Sequence, residues 1–330
     1  MSMRYASLGD DLPPISVISL GSWNTFSRLS NVQLAALLQE AMRLGINFFD
    51  VAYYWDRPNT EEVFGSAIRS AGIVRADYVL AVKLWLWDYP KRSFAQQLRD
   101  SLKRLGTEYV DLVIAERPLP GMEFERFCGE VTALIDAGLC RAWGVINWSA
   151  TQVRLAQKLI NNPARQPRLA QLQYNICRRS IVESEEFATL FSETGIRLVA
   201  ALVLEGGILG GHLHRERVHP SEFAQGKYPP ERNIARDSGG VRQLIRGRYA
   251  ELERIASEMR ATPAQVAIAF CLSHAATASA LVGITKTADL RENVQSLLID
   301  SDATTFRQAL EPLRVEGAQP PKLFNPHNDE

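Results

Sequence analysis

The sequence predicts an α/β fold, an eight-stranded parallel (β/α)8 TIM barrel, from three observations. Short apolar runs and helical stripes alternate eight times with short connections. The runs are continuous rather than alternating, as in strands buried on both faces. Several of them end in a polar or charged side chain (Asp50, Lys83, Glu116, Asn147), at the strand ends where such a barrel builds its site.

The elements follow in order. Arg4 to Ser7 and Ile15 to Leu20 are short β-prone segments, the first able to pair as a hairpin closing the barrel floor. The second ends in Gly21, Ser22 and Trp23. Ser30 reads as an N-cap for a stripe of Leu34, Leu37, Leu38 and Ala41, stopped by Gly45. The pivotal run Ile46 to Phe49 ends in Asp50, and a helix spans about 60–70. Tyr78 to Val82 ends in Lys83, and Ser93 caps a helix with Phe94, Leu98, Leu102 and Leu105 on one face. Tyr109 to Ala115 ends in Glu116, and Phe127, Val131, Leu134 and Ile135 mark the next helix.

A strand at Ala142 to Ile146 ends in Asn147 and precedes a helix after Ser149. The sixth strand is Leu169 to Gln173, with Gln171 and Tyr174 near its end, and a helix follows near Glu183 to Ser192. The seventh is Ile196 to Val203. Leu204 to Gly240 breaks the rhythm, and a connection of that length without clear structure is usually functional or mobile. Helices resume near Tyr249 to Met259 and Thr262 to Ser273, the latter with Thr262 as N-cap and Pro263 at the first position. The last strand is Ala280 to Val282, followed by helices from about Ala288 and near Ala303 to Leu310. No linker divides the alternation, so residues 1–330 read as one barrel domain, with 314–330 as a mobile C-terminal tail.

Composition narrows the function classes. The chain is 46% hydrophobic and 22% charged with a formal net charge of +0, ordinary globular usage with no basic footprint for nucleic acid or an anionic membrane. The N-terminal residues have no apolar leader core, and no run is long enough to span a bilayer. Cys128, Cys140, Cys177 and Cys271 lack metal-ligand spacing and read as free thiols, so a cytoplasmic protein is expected. His212 and His214 form an HxH without a third ligand and read as exposed polar residues; Arg117, Arg178 and Arg179 could meet an anionic substrate group, with surface charge as the default reading.

Asp50, Lys83 and Glu116 stand at the ends of adjacent strands. Each alone could be half of a rim ion pair; three at equivalent positions point to a site. With LGSW, FFDVAYYW followed by Glu61, Glu62 and Gly65, YVDLVIAERP, WGVINW, QLQYN, GGILGG and GITKTADLRENV, the chain resembles the aldo-keto reductases over nearly its whole length. Those are barrels that reduce carbonyls with a nicotinamide cofactor, usually NADPH.

The resemblance implies a catalytic set of Asp, Tyr, Lys and His, of which Asp50 and Lys83 match. Trp55 stands at the tyrosine position and Glu116 at the histidine position. An indole N–H donates a hydrogen bond but does not release its proton near neutral pH. Tyr54, one residue earlier, is the best available donor; Glu116, if protonated, is another, and a reaction needing no such donor is a third possibility.

The same resemblance assigns Asn147 and Gln171 to the nicotinamide carboxamide, with Gly21, Ser22, Trp23 and Asp50 beside them. The loop holding Leu204, Gly206, Gly207 and Leu209 matches a pyrophosphate-covering loop. Gly283, Thr285, Lys286, Asp289, Glu292 and Asn293 match the adenosine end. Asp289 would repel a 2′-phosphate, yet NADP(H) is placed ahead of NAD(H). Trp23, Trp55, Trp85, Trp87 and Trp148 fall at strand ends and suggest a pocket for a flat, apolar substrate.

The leading expectation is an NAD(P)(H)-dependent oxidoreductase acting on an apolar carbonyl or enone. Two rivals stay open: a lyase, isomerase or cyclase using Glu116 and Lys83 on the same barrel, and a catalytically inactive cofactor-binding protein. No nucleic-acid or membrane partner is expected, and the oligomeric state is open.

Overall fold

The structure is a computed structural model that describes residues 2–53, 56–87, 89–214, 241–301 and 304–315. A two-stranded antiparallel hairpin, β1 (Tyr5–Ala6) and β2 (Ile15–Ser16), precedes the barrel. The barrel strands are β3 (Ile18–Gly21), β4 (Phe48–Asp50), β5 (Val79–Leu84), β6 (Val110–Glu116), β7 (Cys140–Ile146), β8 (Leu169–Gln173), β9 (Arg197–Ala201) and β10 (Thr277–Val282). All eight run parallel in sequence order, and β10 closes on β3 by pairing Ala280 with Ile18 and Val282 with Leu20. The predicted (β/α)8 barrel is therefore the observed one.

Helices cover the outside where the caps and stripes predict them. Helix α1 (Asn31–Arg43) starts at Ser30, whose hydroxyl accepts from the Gln33 amide while the Gln33 side chain accepts from the Ser30 amide. Helix α2 (Thr60–Ser70) is capped by Asn59, and α3 (Phe94–Leu105) by Ser93. Gly106 ends α3 at φ 71°, a left-handed position that suits glycine. Helices α4 (Phe124–Asp136), α5 (Ala150–Leu159) and α6 (Glu185–Thr194) follow. Then come α7 (Val241–Glu258), α8 (Pro263–Leu272), α9 (Thr287–Val294) and α10 (Thr304–Ala309).

Side-chain alternation along the strands decides what fills the barrel. Inward-facing Phe48, Val79, Ala81, Leu112, Ile114, Leu169 and Val199 pack with Leu8, Leu12 and Ile15 of the hairpin segment into one apolar cluster. The hairpin thus plugs the floor, as the sequence suggests. Two residues beyond Phe48, Ala81 and Leu169 on the same inward face come Asp50, Lys83 and Gln171. The strand period itself stacks a polar layer on an apolar one.

Several boundaries differ from expectation. Ile15 to Leu20 is two strands, because Val17 pairs with Arg4 through its amide and lets the chain turn from hairpin to barrel. The seventh strand stops at Ala201, because Leu202 takes φ 55°. Helix α7 begins at Val241, ahead of the expected Tyr249; Gly247 and a run of arginines mask the buried stripe of Val241, Ile245, Leu252 and Ile255. The remainder of the long connection, 215–240, and the tail from 316 lie outside the described residues.

Candidate active site

Asp50 is at the centre of a buried polar chain. Its Oδ1 accepts from Lys83 Nζ at 2.5 Å, and its Oδ2 accepts from Gln171 Nε2 at 2.7 Å. The Lys83 and Asp50 side chains are 1% and 3% exposed. Burial outweighs the attraction of Asp50 and holds the Lys83 ammonium below the ordinary lysine range. Gln171 Oε1 is buried and accepts no hydrogen bond from any of the described residues. A buried carbonyl oxygen without a donor is costly unless a ligand supplies one.

This chain forms the inner wall of a cleft of about 540 Å³. One wall carries Gly21, Trp23, Asn24 and Thr25 after β3, and another carries Ile146 and Asn147 after β7. The turn after β9 supplies Leu202, Leu204, Gly206, Gly207 and Gly210. At the outer end stand Gly283, Thr285, Lys286, Asp289, Glu292 and Asn293, where β10 passes into α9.

Backbone strain gathers at the same place. Five described residues other than glycine have left-handed φ; Asn24 (57°), Asn147 (58°), Leu202 (55°) and Glu205 (47°) are at this cleft or within its lining turn. Leucine in that region is costly, and such conformations persist where surrounding contacts over-determine them.

The sequence-derived candidates sort clearly. Asp50, Lys83, Gly21, Trp23, Trp85, Asn147, Gln171, Leu204, Gly206, Gly207, Gly283, Thr285, Lys286, Asp289, Glu292 and Asn293 all line the cleft. Ser22 lies just behind it, fully buried, with its hydroxyl accepting from the Ala52 amide. Leu209 points into the core. Tyr54 and Trp55 lie outside the described residues.

Two aromatic candidates have different surroundings. Trp85 stacks on Trp87 with centroids 4.5 Å apart and planes at 11°, and its indole N–H donates to Tyr53 C=O at 2.9 Å. Gln97 holds the Trp85 backbone by both its N–H and its C=O. Trp148, by contrast, is 1% exposed, donates to Ala115 C=O at 3.2 Å and packs on Phe124, Phe127 and Trp143. It is core, placed there because the chain turns outward after Asn147.

Glu116, half-buried at the end of β6, is not among the described residues that line the cleft. Its Oε2 accepts from the Leu86 amide at 2.8 Å, which ties the end of β6 to the segment carrying Trp85 and Trp87. Arg178 and Arg179, expected on the surface, are buried instead. Arg178 pairs with Glu205, and Arg179 pairs with Glu311 while lying over the Phe270 ring. Adjacent arginines in a loop give no sequence signal of burial; the partners are distant in the chain.

The four cysteines are buried and free; burial pushes the Cys128, Cys140 and Cys177 thiols up to about 12. His212 lines the cleft but is exposed. Among the described residues no group of His, Cys, Asp or Glu is placed to hold a metal.

Comparison with known proteins identifies the family and the fold. Residues 17–311 match the aldo/keto reductase family. A probable voltage-gated potassium channel subunit beta from Oryza sativa subsp. japonica is 35% identical over 305 residues, covering 89% of this chain and 91% of that protein. One of the same description from Arabidopsis thaliana is 32% identical over 306 residues, with 89% and 91% covered. The crystal structure of a putative 2,5-diketo-D-gluconic acid reductase B superposes with a TM-score of 0.70 at 21% identity, covering 98% of this chain and 95% of that one, which speaks to the fold.

Proposed function

This chain belongs to the aldo/keto reductase family, and on that premise we propose that it is a nicotinamide-dependent oxidoreductase acting on an apolar small-molecule carbonyl or enone. The observation that carries the reading is the Lys83–Asp50–Gln171 chain on the cleft wall, with no donor to Gln171 Oε1 among the described residues. A carboxamide NH2 is a suitable donor for that oxygen, and Asn147 stands beside it at the end of β7. The residues present therefore fit a nicotinamide ring, and the cleft is long enough in its lining to continue to the β10–α9 junction.

Asn147 and Gln171 would hold the carboxamide, Leu204, Gly206 and Gly207 the diphosphate, and Thr285, Lys286, Asp289, Glu292 and Asn293 the adenosine end. Lys286 supports NADP(H) ahead of NAD(H), with Asp289 and Glu292 opposing it. Bound there, the cofactor would supply a hydride to the substrate carbon.

The chain's own residues handle charge and proton. Asp50 fixes the Lys83 ammonium against the cleft, where low dielectric strengthens its pull on a developing alkoxide. Glu116, engaged with the Leu86 amide, braces the Trp85 segment. Tyr54 is assigned the proton, since Trp55 cannot release one. Trp23, Trp55 and Trp85 would form the substrate wall, with Trp87 stacked against Trp85. The protein is assigned to the cytoplasm; no helix among the described residues is long and apolar enough to cross a membrane.

The test is loss of reduced-nicotinamide absorbance across a panel of aromatic and terpenoid ketones and enones. Wild type should consume reduced cofactor and add two hydrogens to its product, and Tyr54→Phe should abolish turnover. Full activity in Tyr54→Phe rules out that donor. A product isomeric with substrate, or lighter by water, would replace reduction with the lyase or isomerase reading.

A further inference from the structure

We infer that Glu205 is a positioning residue for this cleft: clamped by Arg178 and Arg242, it sets the turn that presents Gly206 and Gly207 to the diphosphate of a dinucleotide. The inference rests on the reading of the cleft as a dinucleotide site and adds the device that shapes its middle.

The turn is built from conformations that do not hold themselves. Leu202 and Glu205 are left-handed at φ 55° and 47°, and Gly206 and Gly207 follow at 66° and 104°. Glycines sample such backbone freely, so nothing in their own chemistry selects one shape. Leucine and glutamate resist it. The selecting force must come from contacts beneath the turn.

Those contacts converge on Glu205, whose side chain is wholly buried. Its carboxylate accepts from Arg178 Nε at 2.8 Å and from Arg178 Nη2 at 3.0 Å, a two-pronged, charge-assisted pair. Asn175 Nδ2 donates to Glu205 Oε2 at 3.0 Å and also to Leu202 C=O at 2.9 Å, spanning both left-handed residues. Arg242 Nη1 donates to Glu205 C=O at 3.1 Å. At the far end, Arg246 Nε donates to Leu213 C=O at 2.7 Å. The β8–α6 connection holds the turn from one side and α7 from the other.

A preorganised anion cradle binds more tightly than one that must be ordered at each encounter. Glu205 touches no part of the cleft surface, so its effect reaches the ligand through the backbone that follows it. This separates it from Lys286, which would meet the ligand directly.

The test is calorimetric titration of the whole protein with two ligands. One is NADPH or NADH, whichever wild type binds more tightly; the other is its diphosphate-free half, adenosine 2′,5′-bisphosphate or AMP. Glu205→Gln should weaken the dinucleotide by roughly tenfold or more while leaving the half-ligand within about twofold, since only the former spans the turn. Should Glu205→Gln fail to fold, Arg242→Lys keeps the charge, loses the planar fork, and should give the same split in smaller measure. Equal weakening of both ligands, or no weakening of either in a folded variant, overturns the inference. Failure of wild type to bind any dinucleotide would instead overturn the cofactor reading on which it stands.

Discussion

Lys83 Nζ and Asp50 Oδ1 meet at 2.5 Å with both side chains almost sealed from solvent, on neighbouring strands whose inward faces otherwise carry apolar residues. Removing one partner leaves a buried charge alone, which typically costs about 3–5 kcal/mol. Asp50→Asn should therefore lower the unfolding free energy by about that amount, read from denaturant melts. Lys83→Met should be better tolerated than Lys83→Ala, because its volume fills the site. Both lysine variants should lose turnover by at least about a hundredfold. A Lys83→Met variant with wild-type turnover would remove Lys83 from the chemistry.

Trp148 and Trp23 should behave oppositely. Trp148→Phe gives up an indole bond to Ala115 C=O and some packing in a full core, so it should destabilise by about 1–3 kcal/mol with the substrate KM unchanged. Trp23→Ala, on the cleft wall, should raise the KM and barely move the melting temperature. The reverse pattern would mean that the pocket opens elsewhere.

On the proposed reading, the outer end of the cleft sets the cofactor preference. Lys286 is exposed there with Asp289 and Glu292 close in sequence. Lys286→Ala should weaken NADPH by about tenfold and leave NADH within about twofold, while Asp289→Asn should tighten NADPH. An equal effect of Lys286→Ala on both cofactors would show that no 2′-phosphate is read at this position.

Glu40 links α1 to α9 by accepting from Arg43 Nε at 2.8 Å and from Arg291 Nε at 2.6 Å. The hydrogen bonds from Arg43 and then Arg291 hold its carboxyl down at about 2, against an ordinary 4.5. A carboxyl lowered in the folded state contributes stability above its ordinary value and loses it as pH falls toward the folded one. Thermal melts should show part of the wild-type stability disappearing between pH 4.5 and about 2, and Glu40→Gln should flatten that fall. Parallel pH profiles for the two proteins would contradict the assignment.

How much of this was legible in the sequence depends on the range of each interaction. The barrel was readable because strand and helix periods are local, and because Asp50, Lys83 and Gln171 each follow an apolar residue two positions back on the inward face. The caps at Ser30, Ser93 and Thr262 were readable for the same reason. The Arg178–Glu205–Arg242 clamp was not, since its members are far apart in the chain and each alone resembles a surface charge. Trp148 misled because a tryptophan just past a strand end can turn either to the mouth or to the helix layer; the choice is made by Phe124 and Phe127 of α4. Glu116 announced a charge at the rim, but its tie to the Leu86 amide depends on a neighbouring loop's path.

On the proposed reading, this cleft grips a reduced nicotinamide through the Gln171 oxygen, to which no described residue donates. The most direct measurement is titration of NADPH and NADH while following energy transfer from the cleft tryptophans to the bound reduced ring, in wild type and in Gln171→Leu. A saturable signal in wild type, with at least about tenfold weaker binding in the variant, is the expected result. No saturable signal with either cofactor, or identical affinity in Gln171→Leu, would contradict it.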